Sequence, residues 1–282
     1  MEKISYADSV QMGITHVGER DPGQAIEFLG EGKGSRRGCL GSASTRAEAK
    51  SLMSWFKDHD LQAHKQWAYV AAKVNRMIIQ MAPWEWFPAY EHLYALLCDH
   101  PDMVNWYKQH KVPYFVTGED KDRDNPKQAA FHGYQAILAL NGEWEALAER
   151  CEQILSMQLT KDRKYLVDHR FYLALAQGDK SKMEDALNEL TSPKVAHIRN
   201  YAPAFGLTEN LIATHATIYA KMAWRHGYEV EVNSPWVPKE WLPIAPLETY
   251  EDPWPFIQSF DIYQPFEGDW AAWSPTRSPK LT

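Results

Sequence analysis

The chain has 282 residues, 45% of them hydrophobic and 24% charged, which supports a packed core and excludes global disorder. No apolar run approaches the roughly 18 residues a membrane span needs, and a formal net charge of −7 excludes an overall basic footprint for nucleic acid. Three widely spaced cysteines (Cys39, Cys98, Cys151) fit a reducing compartment better than a disulfide framework, and the first 30 residues lack a basic start followed by an apolar core. A soluble cytoplasmic protein is expected.

Eight of the fifteen glycines fall before Ser44. That density disfavours helix and predicts turns, a mobile arm or a short strand pair over residues 1–44. The run Gly30-Glu31-Gly32-Lys33-Gly34-Ser35-Arg36-Arg37-Gly38 invites a phosphate-loop reading, but its lysine precedes glycine and the required spacing fails. From 45 to 227 the pattern predicts helix after helix. Thr45 and Glu48 form a capping-box start, a second run covers 61–82 up to Pro83, and a third covers Tyr90 to Cys98. Asn125-Pro126 predicts the opening of a helix that Gly142 stops, and further helices are predicted at about 143–158, 162–177, 179–191 and 208–226, the last closed by Gly227.

An echo at a 36-residue offset aligns Leu140-Asn141-Gly142-Glu143 with Ala176-Gln177-Gly178-Asp179, and Leu147, Cys151 and Ile154 with Met183, Leu187 and Leu190. Helix, Gly-acidic turn, helix at that period predicts an irregular array of antiparallel helix pairs with tetratricopeptide-like character. Residues 228–282 hold nine of the seventeen prolines and five tryptophans, which predicts a segment wrapped on the same domain, with a short strand at Glu229–Asn233. The fold class is mostly α.

Motifs for catalysis fail. There is no Gly-x-Ser-x-Gly elbow, no His-Glu-x-x-His and no Glu-x-x-His pair. Asp58, His59, Asp60 and His64 cluster at a helix junction, but His59 and His64 would point roughly 140° apart on one helix, and a solvated polar junction is the simpler reading. Asp168-His169 and Asp99-His100 have no partner at ligand spacing, and Cys39 has no base beside it. No cofactor and no metal is expected, nor catalytic residues. Charge is more informative: residues 229–269 hold nine acids against Lys239, leaving residues 1–228 near −1. Such a concentrated acidic segment suits a basic partner, or keeps the protein soluble.

The run Leu211–Pro246 resembles the C-terminal part of the immunity protein 49 family of bacterial polymorphic toxin systems. It carries a final helix ending K-x-A-x-x-x-G-Y (Lys221 to Tyr228), then V-x-V-x-S-P (Val230 to Pro235) and V-P-x-x-W-L-P (Val237 to Pro243). Leu93 to Asp99, and Leu173 to Ala186 around Gly178-Asp179, are also similar, so the resemblance covers residues 60–260 and leaves the glycine-rich segment unmatched. It implies a cytoplasmic antidote to a secreted effector toxin of interbacterial competition, such as type VI secretion delivers, without catalytic residues of its own. On that reading Glu229, Glu231, Glu240, Glu248, Glu251 and Asp252 supply charge to a cognate, basic toxin domain, and Trp236 and Trp241 anchor it. Neither nucleic acid nor membrane is an expected partner. A tetratricopeptide-like scaffold for peptides and an uncharacterised helical enzyme remain as alternatives. A polar pocket lined by His59, His64 or Asp168 would favour the enzyme.

Overall fold

The computed structural model describes residues 5–18, 23–81, 89–109, 123–157, 163–200 and 211–263. They fold as α1 (Tyr6–Gly18), α2 (Gly23–Glu31), α3 (Arg36–Phe56), α4 (Leu61–Met81), α5 (Leu93–Cys98), α6 (Pro101–Gln109), α7 (Ala129–Asn141), α8 (Trp144–Ser156), α9 (Leu166–Gln177), α10 (Lys180–Leu190), α11 (Pro193–Arg199), α12 (Thr214–Arg225) and α13 (Pro255–Gln258). Short 3-10 turns precede α5 and α9, and another covers Lys239–Trp241. The fold is mostly α.

The glycine-rich segment is helical where turns were expected. Its helices α1, α2 and the first turns of α3 place Leu29, Cys39, Leu40 and Ala43 in the core, so Cys39 is a buried helix residue and not part of an open loop. Glycine costs roughly 1 kcal/mol per helix position, which burial of these neighbours offsets. The true start of α3 is Ser35, whose hydroxyl accepts from the Gly38 amide at 3.3 Å; Thr45 and Glu48 lie inside the helix. Small buried residues (Ala43, Ser44, Ala47, Ser51) let α3 pack closely along α4.

The echo reappears as geometry. Gly142 and Gly178 both take left-handed φ (71° and 69°), and the following amides of Glu143 and Asp179 donate back to Leu138 and Ala174 at 3.0 and 2.9 Å. Gly227 closes α12 in the same way, with Tyr228 N–H reaching Ala223 O at 3.0 Å. These are Schellman ends, where glycine relieves the left-handed strain. Leu147, Cys151, Ile154, Met183, Leu187 and Leu190 are all buried. Two starts move inward: α7 begins one turn after Asn125-Pro126, and α12 begins at Thr214.

Helix α12 is buried on almost every side, from Ala216 to Ala223, and contacts α5 and α10. Residues 228–263, the strap, then cross the body. The Glu229–Asn233 stretch forms no strand: its valines pack on the core, and no second strand pairs with it among the described residues. Of the C-terminal tryptophans and acids counted in the sequence, Trp270, Trp273, Glu267 and Asp269 lie outside the described residues.

Candidate partner-binding surface

The strap is fixed to the body by a buried ionic hub that sequence reasoning did not find. Asp99 ends α5 in the left-handed region (φ 58°), a conformation that costs a non-glycine residue about 1 kcal/mol or more. Its fully buried carboxylate accepts from Lys65 Nζ at 2.8 Å, from Lys221 Nζ at 2.8 Å and from Arg225. It also accepts from the strap amide of Ala245 at 3.2 Å. The surplus cations turn to strap carbonyls: Lys65 donates to Ala245 O, and Lys221 to Leu242 O and Pro243 O at 3.4 and 3.3 Å. Burial pushes the Lys221 ammonium down to about 8, although Asp99 opposes the shift. The sequence signal was available in part, since Lys221 sits on an apolar helix. Its counterion lies 122 residues away and is not assignable from spacing.

Further ties follow along the strap. Lys73 and the Tyr69 hydroxyl hold Asp252 at 2.6 and 3.2 Å, Gln66 exchanges hydrogen bonds with the Glu251 backbone, and Tyr250 donates to Cys98 O. Trp241 stacks on His64 at 4.3 Å and 14° between planes, with Trp55 and Phe56 edge-on at 6.1 and 5.8 Å. His64 is therefore buried, correcting the solvated junction expected there. Its Nδ1 donates to Ser51 O at 3.0 Å while Nε2 faces no partner, and burial lowers its pKa to about 4. His59, Asp58 and Asp60 are exposed as expected, and the Asp60 carboxylate caps α4 by accepting from Ala63 N at 2.9 Å.

Seven of the eight residues singled out for partner binding have surface to offer, and one does not. Glu229, Glu231, Glu240, Glu248 and Glu251 are exposed, and Trp236 is half-buried. Asp252 is half-buried and paired with Lys73, and Trp241, 1% exposed, serves the strap's own attachment, which corrects its assignment to a partner. Hydrophobic burial claimed the Trp241 ring, which composition alone does not reveal.

Two hollows flank the α3–α4 turn. One, about 490 Å³, is lined by Leu61, Gln62, Lys65 and strap residues 245–249 including Glu248. The other, about 460 Å³, runs between Val10, Trp55, Phe56, His59 and strap residues 232–240 including Glu240. The first carries Lys65 beside Glu248 in its lining, and the second carries His59, Lys239 and Glu240 among its apolar walls. Asp168 lies instead in a packed interior cluster, bound to Arg199 at 2.8 Å, and His169 meets His132 at 2.9 Å. Burial, and then His132, depress the His169 pKa. Among the described residues no group of three or more His, Cys, Asp or Glu is arranged to hold a metal ion, and no helix is long and apolar enough to cross a membrane.

The family model described as immunity protein 49 matches residues 128–241, from the start of α7 to the strap's 3-10 turn. The resemblance read from the sequence is borne out over that span, which is narrower than residues 60–260 and leaves Leu93–Asp99 outside. No match was found among curated proteins or among solved structures.

Proposed function

We propose that this chain, whose residues 128–241 match immunity protein 49, is a cytoplasmic immunity protein that neutralises a cognate secreted toxin by stoichiometric binding rather than turnover. The family match is the observation that carries the reading. The acidic strap supports it, since Glu229, Glu231, Glu240, Glu248 and Glu251 are exposed beside half-buried Trp236 on a segment already held rigid by the Asp99 hub. Rigid, acidic, aromatic-flanked surfaces suit a basic protein partner, because complementary potential speeds encounter and pre-organisation lowers the entropy of docking.

Co-expression with the toxin-like domain encoded beside this chain tests the reading. Growth rescue together with co-purification of both chains is the expected result. Rescue without a complex would point to an enzyme that reverses the damage. Failure of both would leave the peptide-binding scaffold as the better account.

A further inference from the structure

We propose that the toxin docks on the hollow between α1, the α3–α4 turn and the strap, inserting one aliphatic or aromatic side chain flanked by lysine or arginine. This inference rests on the immunity reading and specifies where and by what chemistry the partner is held.

The walls argue for an apolar insert. Val10, Trp55, Phe56, Pro235, Val237 and Pro238 supply carbon surface around about 460 Å³, a volume within the ~300–1,000 Å³ range of pre-formed ligand sites. The walls are braced from behind, since Trp55 and Phe56 pack edge-on against Trp241, which is itself stacked on His64. An open hollow with largely apolar walls, backed by packed rings, suits an interface anchor residue.

The rim argues for basic flanks. Within three residues of the lining stand the exposed carboxylates Asp8, Asp58, Asp60, Glu229, Glu231 and Glu240, against the exposed ammonium groups of Lys57 and Lys239. That surplus of negative charge favours lysine or arginine beside the inserted side chain and disfavours a second copy of this acidic chain.

The turn itself retains a side chain where the backbone favours none. His59 has φ 53°, and only Asp99 shares a positive φ among the described non-glycine residues. Asp99 tolerates that conformation because its carboxylate organises the hub. His59 makes one internal ring contact, edge-on to Trp55 at 5.9 Å; it is otherwise exposed and lines the hollow. Glycine would close the turn more cheaply, so the ring is placed for what enters the hollow.

The test measures binding of the neighbouring toxin-like domain by calorimetry to the wild-type chain, Pro235→Glu and His59→Gly, with melting curves for each. Pro235 is exposed, so a carboxylate there keeps the fold while setting a charge in the slot. The expected result is about thirtyfold weaker binding for Pro235→Glu, the size of a hot-spot loss. His59→Gly should bind several-fold more weakly, with a melting temperature equal to or above wild type. Wild-type binding with undiminished affinity in both variants overturns the docking site and leaves the immunity reading standing. No binding by the wild-type chain removes that reading, and this inference with it. A homodimer dissolved by Pro235→Glu would give the hollow to a second copy. A Pro235→Glu effect on melting that disappears when residues 264–282 are deleted would give it to the chain's own C-terminal segment. Either would overturn the toxin as occupant.

Discussion

Replacing Asp99 by Asn tests the hub that holds the strap in place. The change keeps the shape but removes the carboxylate that Lys65, Lys221 and Arg225 share, their side chains being 4%, 0% and 16% exposed. Removing one partner of a buried ion pair costs roughly 3–5 kcal/mol, because the remaining charge stays desolvated without compensation. That is a large part of the roughly 5–15 kcal/mol that a domain has in total. Urea denaturation at pH 7 should show the loss. The pH dependence gives an independent sign. Lys221 titrates near 8 in the folded protein against 10.5 in the unfolded chain, so the unfolded state binds more protons between those values and stability rises with pH across that window. Without Asp99 the folded value falls further, so the Asn variant should begin to recover stability at lower pH than wild type. A loss under about 1 kcal/mol at pH 7, well below the buried-pair range, or identical pH slopes in the two proteins, would refute the hub.

His64 predicts an acid limb. Its folded value of about 4 lies below the usual 6.5, so stability present above 6.5 is lost as pH falls towards 4, by at most about 3 kcal/mol, and His64→Phe should flatten that limb in urea titrations. Gly178→Ala forces a side chain into φ 69° and brings its Cβ to 2.7 Å from the Tyr228 hydroxyl; a loss of about 1–2 kcal/mol is expected, and an unchanged melting temperature would contradict the Schellman assignment. Reversing Glu231 or Glu240 to Lys should slow toxin association and shrink its salt dependence, with little change in dissociation, as stopped-flow mixing would show.

Helix ends were the most legible part of this chain, because their chemistry is local. Gly142, Gly178 and Gly227 stop their helices through a left-handed backbone that glycine adopts without strain, whatever the distant contacts. The glycine-rich start was illegible for the opposite reason. Local propensity there opposes helix, and only tertiary burial of Leu29, Leu40 and Ala43 reverses it. The strap's attachment was half legible. Its prolines and tryptophans predicted a wrapped segment, yet Trp236 and Trp241 differ only in which way they face. That depends on the His64 ring, 177 positions from Trp241 along the chain. The Asp99 hub joins four charged residues from α4, the end of α5 and α12, and no spacing rule links them.

The most direct measurement of the central claim is a titration of this chain against a candidate cognate toxin domain, reading residual toxicity and complex mass from the same samples. Stoichiometric neutralisation predicts that toxicity vanishes at one equivalent, where native mass spectrometry shows a single one-to-one complex. Neutralisation by a small fraction of an equivalent, with no complex at any ratio, would contradict it and mark the chain as a catalyst.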